Sequence, residues 1–261
     1  MNKVFVNLLI CNMLMAASYE DFVDFVKTKA PSFHDEELWR MFYDTFLEGL
    51  TPSESPFLYA IGGGPASGKT TLRNQCHFSN VHLHDMDEIV VRLPEYKRDC
   101  VLLGLEAAFD KWFPTAREIA DTMAEFALAN RYSILYDRTC AAERSYYDIL
   151  RASQLGYRVS LIGLCLDLQK ALDRARRRAV DGGRALSEPL IREWHARFSA
   201  IWPYYLRFVQ DVSLYDTSGP TPRLIYSSEL GVQNPLLYQQ FLDDGAPFEA
   251  HYNHHLKQHI P

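Results

Sequence analysis

An apolar run, FLYAI at residues 57–61, is followed at once by a glycine-rich segment in which residues 63–70 read GGPASGKT. This segment fits the pattern G-x-x-x-x-G-K-[ST], and the apolar run has the length and composition of a buried strand. In such a segment, glycines let backbone N–H groups close around phosphate oxygens at the positive end of the next helix. The chain is therefore expected to fold around a strand–loop–helix unit that binds a nucleotide.

Two side chains of this phosphate loop, residues 63–70, have expected roles of their own. Lys69 is expected to reach the β- and γ-phosphates, and the hydroxyl of Thr70 is expected to bind Mg²⁺. The alternative is a glycine-rich turn that binds nothing, which the motif and its context together disfavour. The predicted nucleotide-binding residues are Gly63, Gly64, Pro65, Ala66, Ser67, Gly68, Lys69, Thr70 and Thr71.

Strand and helix patterns alternate along most of the chain. Strands are predicted at residues 57–61, 81–84, 132–136, 158–166 and 212–215, and helices at residues 115–130, 143–155, 168–180 and 187–199. This alternation predicts an α/β fold with a doubly wound, mostly parallel sheet and helices on both faces. The long apolar run at 158–166 is expected to form a central strand.

Four segments divide the chain. Residues 1–18 combine one lysine, an apolar run and small residues at Ala16, Ala17 and Ser18, which is the outline of a signal peptide; a first helix is the evenly weighted alternative. Residues 19–50 are expected to form a helical extension, residues 51–230 the nucleotide-binding domain and residues 231–261 a C-terminal tail. The apolar run is too short and too interrupted to span a membrane, so no stable membrane insertion is expected.

The composition of the chain indicates which partners and which cellular compartment to expect. The net charge of −6 disfavours nucleic acid as a partner of the whole chain. The five cysteines form no C-x-x-C pair, which favours a reducing compartment. A cytoplasmic protein is therefore expected, with export through the signal-like start as the alternative.

Two acidic residues follow the strand predicted at 81–84. Asp85 and Asp87 are two positions apart, so both side chains point the same way from the end of that strand. In a doubly wound sheet this end lies beside the phosphate loop. One carboxylate can hold a metal-bound water and the other can accept a proton from a substrate hydroxyl, an arrangement typical of small-molecule kinases. A capped turn is the alternative.

A cluster of arginines follows the predicted central strand. Arg174, Arg176, Arg177 and Arg178 precede Gly182-Gly183-Arg184. Their place in the fold predicts a lid whose arginines close over the γ-phosphate as charge spreads in the transition state. A solvated basic face is the alternative for some of them.

Five segments in this order resemble the zeta toxin family, the P-loop kinases that phosphorylate UDP-N-acetylglucosamine on a sugar hydroxyl. They are GGGPASGKTT, HDMDEIVVRLPEY, IADTMAEFALANRYSILYDRT, ALDRARRRAVDGGRAL and LYDTSGPTPRLIY, and together they cover about residues 51–226. The resemblance implies that the chain is an ATP- and Mg²⁺-dependent kinase with a small-molecule acceptor. It also implies an antitoxin protein as a possible partner.

The resemblance also implies residue roles. Asp87 would be the general base, and Arg178 and Arg184 would be the lid arginines that stabilise the charge of the transferred phosphate together with Lys69. Asp85 is assigned to the metal beside Thr70 from its place in the Asp85-x-Asp87 pair. Three residues would contact the acceptor: Asp121, Asp137 and Thr139.

This chain departs from the family pattern in three respects. Aspartates stand at 121 and 137 where the family has glutamates, and Arg138 replaces a glycine. The spacing between the lid arginines is also shorter, which keeps Arg174 and Arg177 as alternatives to Arg178. A different acceptor, such as a nucleoside or NAD, and a nucleotide-binding effector without turnover are the competing hypotheses.

Overall fold

The computed structural model describes residues 15–29, 31–181 and 184–256, and its strands form one sheet. In chain order they are β1 (Phe57–Gly62), β2 (Val81–His84), β3 (Ser133–Asp137), β4 (Arg158–Cys165), β5 (Asp211–Asp216), β6 (Arg223–Ser227) and β7 (Gly231–Val232). Their order across the sheet is β2-β3-β1-β4-β5-β6-β7. The first five strands of that order pair in parallel, β6 pairs antiparallel with β5, and β7 pairs antiparallel with β6. The predicted mostly parallel α/β sheet is confirmed, and β4 lies at its centre.

The described helices surround this sheet. They are α1 (Tyr19–Lys29), α2 (Glu36–Phe46), α3 (Lys69–Gln75), α4 (Met86–Val90), α5 (Pro94–Leu103), α6 (Leu105–Ala129), α7 (Glu143–Gln154), α8 (Leu168–Val180), α9 (Glu188–Tyr205), α10 (Pro235–Asp243) and α11 (Glu249–Leu256), with a 3₁₀ turn at Ala246–Phe248.

Alternation along the strands separates two apolar layers. Leu58 and Ile134 belong to the large core, which α6, α7 and α9 complete. Ile61 and Leu135 form a smaller cluster on the opposite face, where Leu72 of α3 packs against them. Successive side chains of a strand point to opposite faces. The position of a residue in this alternation therefore determines whether its side chain joins the large core or the smaller cluster.

Helix α6 is longer than its sequence pattern indicates. The predicted helix at 115–130 starts directly after Pro114, but α6 begins at Leu105 and contains Pro114. Proline removes one backbone hydrogen bond from a helix interior. Here the buried residues on both sides of Pro114, among them Phe109 and Ile119, keep the helix packed. Helices α4 and α5 were not predicted.

The segment predicted as a tail, 231–261, is folded over most of its length. It contributes β7, α10, the 3₁₀ turn and α11, and it buries Phe241, Tyr252 and Leu256. A Cβ atom on Gly245 would lie 2.5 Å from the backbone nitrogen of Ala200, so this turn packs directly on the backbone of α9. Residues 257–261 lie outside the described residues.

The start of the described chain is tied to the sheet. The backbone N–H of Ala17 donates to the hydroxyl of Tyr132 at 2.7 Å, and the hydroxyl of Tyr43 donates to the carbonyl of Ala17 at 2.8 Å. Residues 1–14 of the signal-like segment lie outside the described residues. None of the helices within the described ranges has the length and apolar character needed to cross a membrane.

Candidate active site

The phosphate loop connects the end of β1 to the first turn of α3, at the carboxyl edge of the parallel strands. Gly63, Ala66 and Gly68 have φ angles of 141°, 62° and 98°. The N–H of Gly63 donates to the carbonyl of Thr139 at 2.9 Å, which joins the loop to the segment after β3. Ligands of open α/β sheets bind at this edge.

Side chains hold five consecutive carbonyl groups of the loop. Lys69 Nζ donates to the carbonyls of Gly63 and Gly64 at 2.7 and 3.1 Å. Three further donors come from distant parts of the chain. They are His195 Nε2 to Pro65 at 2.8 Å, Arg174 Nη1 to Ala66 at 3.4 Å and Thr217 Oγ1 to Ser67 at 2.8 Å.

These bonds orient the peptide groups of the loop. In a trans peptide the N–H points away from the C=O, so each held carbonyl also fixes the direction of the N–H of its own peptide group. Burial lowers the pKa of His195, so its neutral imidazole donates through Nε2 to the Pro65 carbonyl. No local sequence pattern marks His195 or Thr217, because only the folded sheet brings them to the loop.

A cluster of carboxylates lies beside α3. Arg73 Nη1 contacts Asp85 Oδ2 and lies 3.1 Å from Asp137 Oδ2, while Arg73 Nη2 lies 3.1 Å from Glu88 Oε1. Burial raises the pKa of Asp137 to about 6, helped by the nearby charge of Asp85 and opposed by Lys69 and Arg73. Burial also raises the pKa of Asp85. Arg73 was not predicted, although its position four residues after Lys69 places it one helical turn along α3.

The residues predicted to bind Mg²⁺ fit such an ion. Thr70 is exposed on the first turn of α3, and Asp85 and Asp137 already share one cationic group, the guanidinium of Arg73. Nowhere in the described ranges do three His, Cys, Asp or Glu side chains form a group ready to hold a metal. Mg²⁺ binds through one or two carboxylates and takes its other ligands from water and substrate phosphates, and Thr70 and Asp85 are protein oxygens of the kind it needs.

Asp87 differs from the neighbouring carboxylates. It lies on the first turn of α4 and is exposed, and its carboxylate makes no hydrogen bond or ion pair with any residue that the structure describes. Burial lowers the pKa of Lys69 and the pKa of Arg184, and the negative charge of Asp87 opposes both decreases. The charge of Asp87 therefore acts on both a cation of the phosphate loop and a cation of the predicted lid.

The predicted lid arginines occupy different environments. The guanidinium of Arg184 stacks on the ring of Phe109 at 3.7 Å, and Arg178 is exposed on the last turn of α8. Arg174 contacts the phosphate loop and also donates to the carbonyl of Thr217 at 2.7 Å. Arg177 donates to the carbonyl of Asp173 within its own helix. Residues 182 and 183 lie outside the described residues.

Asp121 and Asp137 do not meet. Asp137 ends β3 on the face of α3, whereas Asp121 projects from α6 toward the other face. There it lies 3.5 Å from Arg138 Nη1, 3.5 Å from Arg144 Nη2 and 3.7 Å from His84 Nε2. The alternation of side chains along β3 and its following residues causes this separation. Arg138, which stands where the family has a glycine, is thus one of two arginine partners of Asp121, with Arg144 as the other.

Comparisons with known proteins agree with this architecture. A model of the Zeta toxin family matches residues 43–219. A chain from the PezAT chromosomal toxin–antitoxin system of the human pathogen Streptococcus pneumoniae superposes with a TM-score of 0.58 and 14% identity, over 83% of this chain and 95% of that one. A chain of AvrRxo1-ORF1:AvrRxo1-ORF2 with ATP superposes with a TM-score of 0.57 and 18% identity, over 86% of this chain and 71% of that one. No curated protein sequence matches the chain.

Proposed function

The chain belongs to the zeta toxin family of P-loop phosphotransferases, and we propose that it transfers the γ-phosphate of ATP to a hydroxyl group of a nucleotide sugar such as UDP-N-acetylglucosamine. The family supports the reaction class, and the complex of the AvrRxo1 structure with ATP supports the donor. The nucleotide sugar is the acceptor that the family resemblance implies.

The phosphate loop would hold the donor. Backbone N–H groups of the loop would bind the β- and γ-phosphate oxygens. Lys69 would leave the carbonyls of Gly63 and Gly64 and follow the charge of the γ-phosphate. When bound through Thr70 and Asp85, Mg²⁺ would supply neutralisation of the phosphate charge.

The unpaired carboxylate of Asp87 carries the mechanistic proposal. As general base, Asp87 would take the proton of the acceptor hydroxyl, whose oxygen forms the new bond to the γ-phosphorus. The bond between that phosphorus and the β–γ bridging oxygen breaks, and ADP leaves with its electron pair. Arg184, which the charge of Asp87 reaches, and Arg178 would neutralise the phosphoryl oxygens from the lid side.

A protein partner forms part of the proposal. The PezAT chain comes from a toxin–antitoxin system, and AvrRxo1-ORF1 was solved in complex with a second protein. The chain described here would accordingly be restrained by an antitoxin protein that binds it in the producing cell.

Asp87→Asn separates catalysis from nucleotide binding. This substitution keeps the side-chain volume and removes the base, so kcat should fall by about 10²–10⁴, the usual contribution of a positioned general base. The ATP dissociation constant should stay within a few-fold of wild type, because Asp87 serves the acceptor. ADP release and calorimetric ATP titration measure the two quantities.

A matched control is Asp110→Asn. Asp110 is also exposed and its charge also acts on Arg184, but it is not among the groups that act on Lys69. This variant should retain nearly full turnover. Equal turnover in Asp87→Asn and wild type would remove Asp87 from the mechanism.

The acceptor requires a direct screen. ADP release should be measured with UDP-sugars, nucleosides and NAD, each at matched concentration and with the Asp87→Asn variant as the blank. Stimulation by UDP-N-acetylglucosamine supports the proposed acceptor. Stimulation by NAD or a nucleoside instead replaces it, and ATP binding without turnover on any acceptor identifies a nucleotide-binding effector.

A further inference from the structure

Arg73 is the cation at the centre of the carboxylate cluster beside the phosphate loop. Its side chain is 13% exposed, and the side chains of Asp85 and Asp137 that it bridges are 14% and 6% exposed. Its second terminal nitrogen reaches Glu88, so one guanidinium serves three carboxylates. The N–H donors of the planar Arg73 guanidinium are thus directed at this one cluster of carboxylates.

One of these carboxylates, Asp85, is also the one proposed to serve Mg²⁺ beside Thr70. Asp85 Oδ1 accepts from the N–H of Asp87 at 2.9 Å, which leaves Oδ2, the oxygen that Arg73 contacts, as the oxygen facing the cluster. A divalent cation and a guanidinium at one carboxylate oxygen repel each other, because both are positively charged, so the resident guanidinium opposes metal binding there.

We propose that Arg73 is a resident counter-cation which excludes divalent metal from the nucleotide-free site, so that Mg²⁺ enters only with ATP. Without Arg73, the Asp85–Asp137 pair would attract Mg²⁺ by itself. With Arg73 in place, the negative charge of the ATP phosphates supplies the attraction that Mg²⁺ still needs. The inference rests on the proposed function for the role of Mg²⁺, but it concerns the protein before any nucleotide binds.

The test is Mg²⁺ binding in the absence of nucleotide. Wild-type protein should show no saturable heat when titrated with millimolar MgCl₂, and its thermal midpoint should not move. Arg73→Met keeps the aliphatic stem and removes the charge, so the variant should bind Mg²⁺ alone at least about tenfold more tightly than wild type. Its thermal midpoint should rise with MgCl₂ concentration.

Arg92→Met is the matched control. Arg92 Nη1 lies 2.6 Å from Glu88 Oε2, so Arg92 also neutralises the cluster's outer carboxylate, but it contacts neither Asp85 nor Asp137. Its removal should not create Mg²⁺ binding. Adding Asp137→Asn to Arg73→Met should abolish the gained binding, which locates the new site.

Two results overturn the inference. The first is saturable Mg²⁺ binding to nucleotide-free wild type, a measurement that needs no variant. The second is a folded Arg73→Met, or the more polar Arg73→Gln, that still binds no Mg²⁺ alone. Neither acceptor nor turnover enters these titrations, so failure of the kinase proposal and failure of this inference are distinguished.

Discussion

At the scale of single residues, Gly64 shows how closely the phosphate loop is packed. A Cβ atom there would lie 2.4–2.5 Å from three atoms of the His195 ring. Its φ angle is not positive, so the missing side chain reflects this contact and not backbone strain. The absence of a side chain at Gly64 thus leaves room for the imidazole of His195, which donates to the carbonyl of Pro65.

Gly64→Ala should therefore weaken ATP binding at least about tenfold, or about 1.4 kcal/mol. The alanine must displace either the imidazole or the loop, and both movements misplace the N–H groups. Adding His195→Ala removes the clash but also the donor to Pro65, so recovery should be partial. Calorimetric titration of ATP measures each variant.

Gly219→Ala is the control for this effect. Gly219 lies in the turn after β5, and a Cβ atom there meets nothing closer than the carbonyl oxygen of Thr221 at 3.7 Å. Its ATP affinity should match wild type. Unchanged affinity in Gly64→Ala would show that the loop accommodates the alanine and that His195 does not fix it.

At the scale of elements, the C-terminal helices belong to the folded domain. Phe241 of α10 is 4% exposed, and its ring lies 5.9 Å from the rings of Phe198 and Trp202. Phe241→Ala should lower the free energy of unfolding by about 3–5 kcal/mol, because it leaves a cavity between α9 and α10. Urea unfolding measures the loss.

Leu236→Ala provides the comparison within the same helix. Leu236 is 78% exposed, so its truncation should change the free energy of unfolding by no more than about 0.5 kcal/mol. If both variants lose the same amount, α10 does not pack on α9 in solution.

Elements differ in how well their sequences predict them. β2 (Val81–His84) and α8 (Leu168–Val180) have the predicted bounds, since each has a clear periodicity and a clear stop. The predicted helix at 115–130 is shorter than α6, because Pro114 indicates a helix start in the sequence. In the structure, burial of a long apolar face outweighs the one backbone hydrogen bond that Pro114 removes. Helices α4 and α5 are short, and their formation depends on the cap at Asp85 and on packing against α6.

At the scale of the whole molecule, buried histidines make stability depend on pH. His82 is 1% exposed on β2, and burial lowers its pKa to about 4 from an ordinary value of 6.5. The folded state thus binds fewer protons than the unfolded state. The neutral histidine's contribution is fully present above pH 6.5 and is lost as the pH falls toward 4.

His82→Gln removes this titration. Between pH 6.5 and 4 the free energy of unfolding should fall less in the variant than in wild type, by on the order of 1–3 kcal/mol. Urea unfolding at several pH values measures the difference. His77 is exposed and lies before β2, so the free energy of unfolding of His77→Gln should fall with pH as that of wild type does. Parallel curves for all three proteins would contradict the assignment to His82.

The candidate site was predictable only where its residues are close in sequence. The phosphate loop and Asp85-x-Asp87 follow predicted strands, so the rule that ligands bind at strand ends located them. Arg73, His195 and Thr217 contact the site through tertiary packing, which no local pattern records. The separation of Asp121 from Asp137 depends on which face of β3 each side chain meets.

The carbonyl bonds of the phosphate loop have a consequence for genetics. Arg174, His195 and Thr217 lie 108, 130 and 150 positions from the loop residues that they hold. Loss-of-function alleles at these codons should therefore behave as nucleotide-binding alleles, although no sequence motif marks them. A screen for inactive variants would recover a dispersed set of positions that only the fold unites.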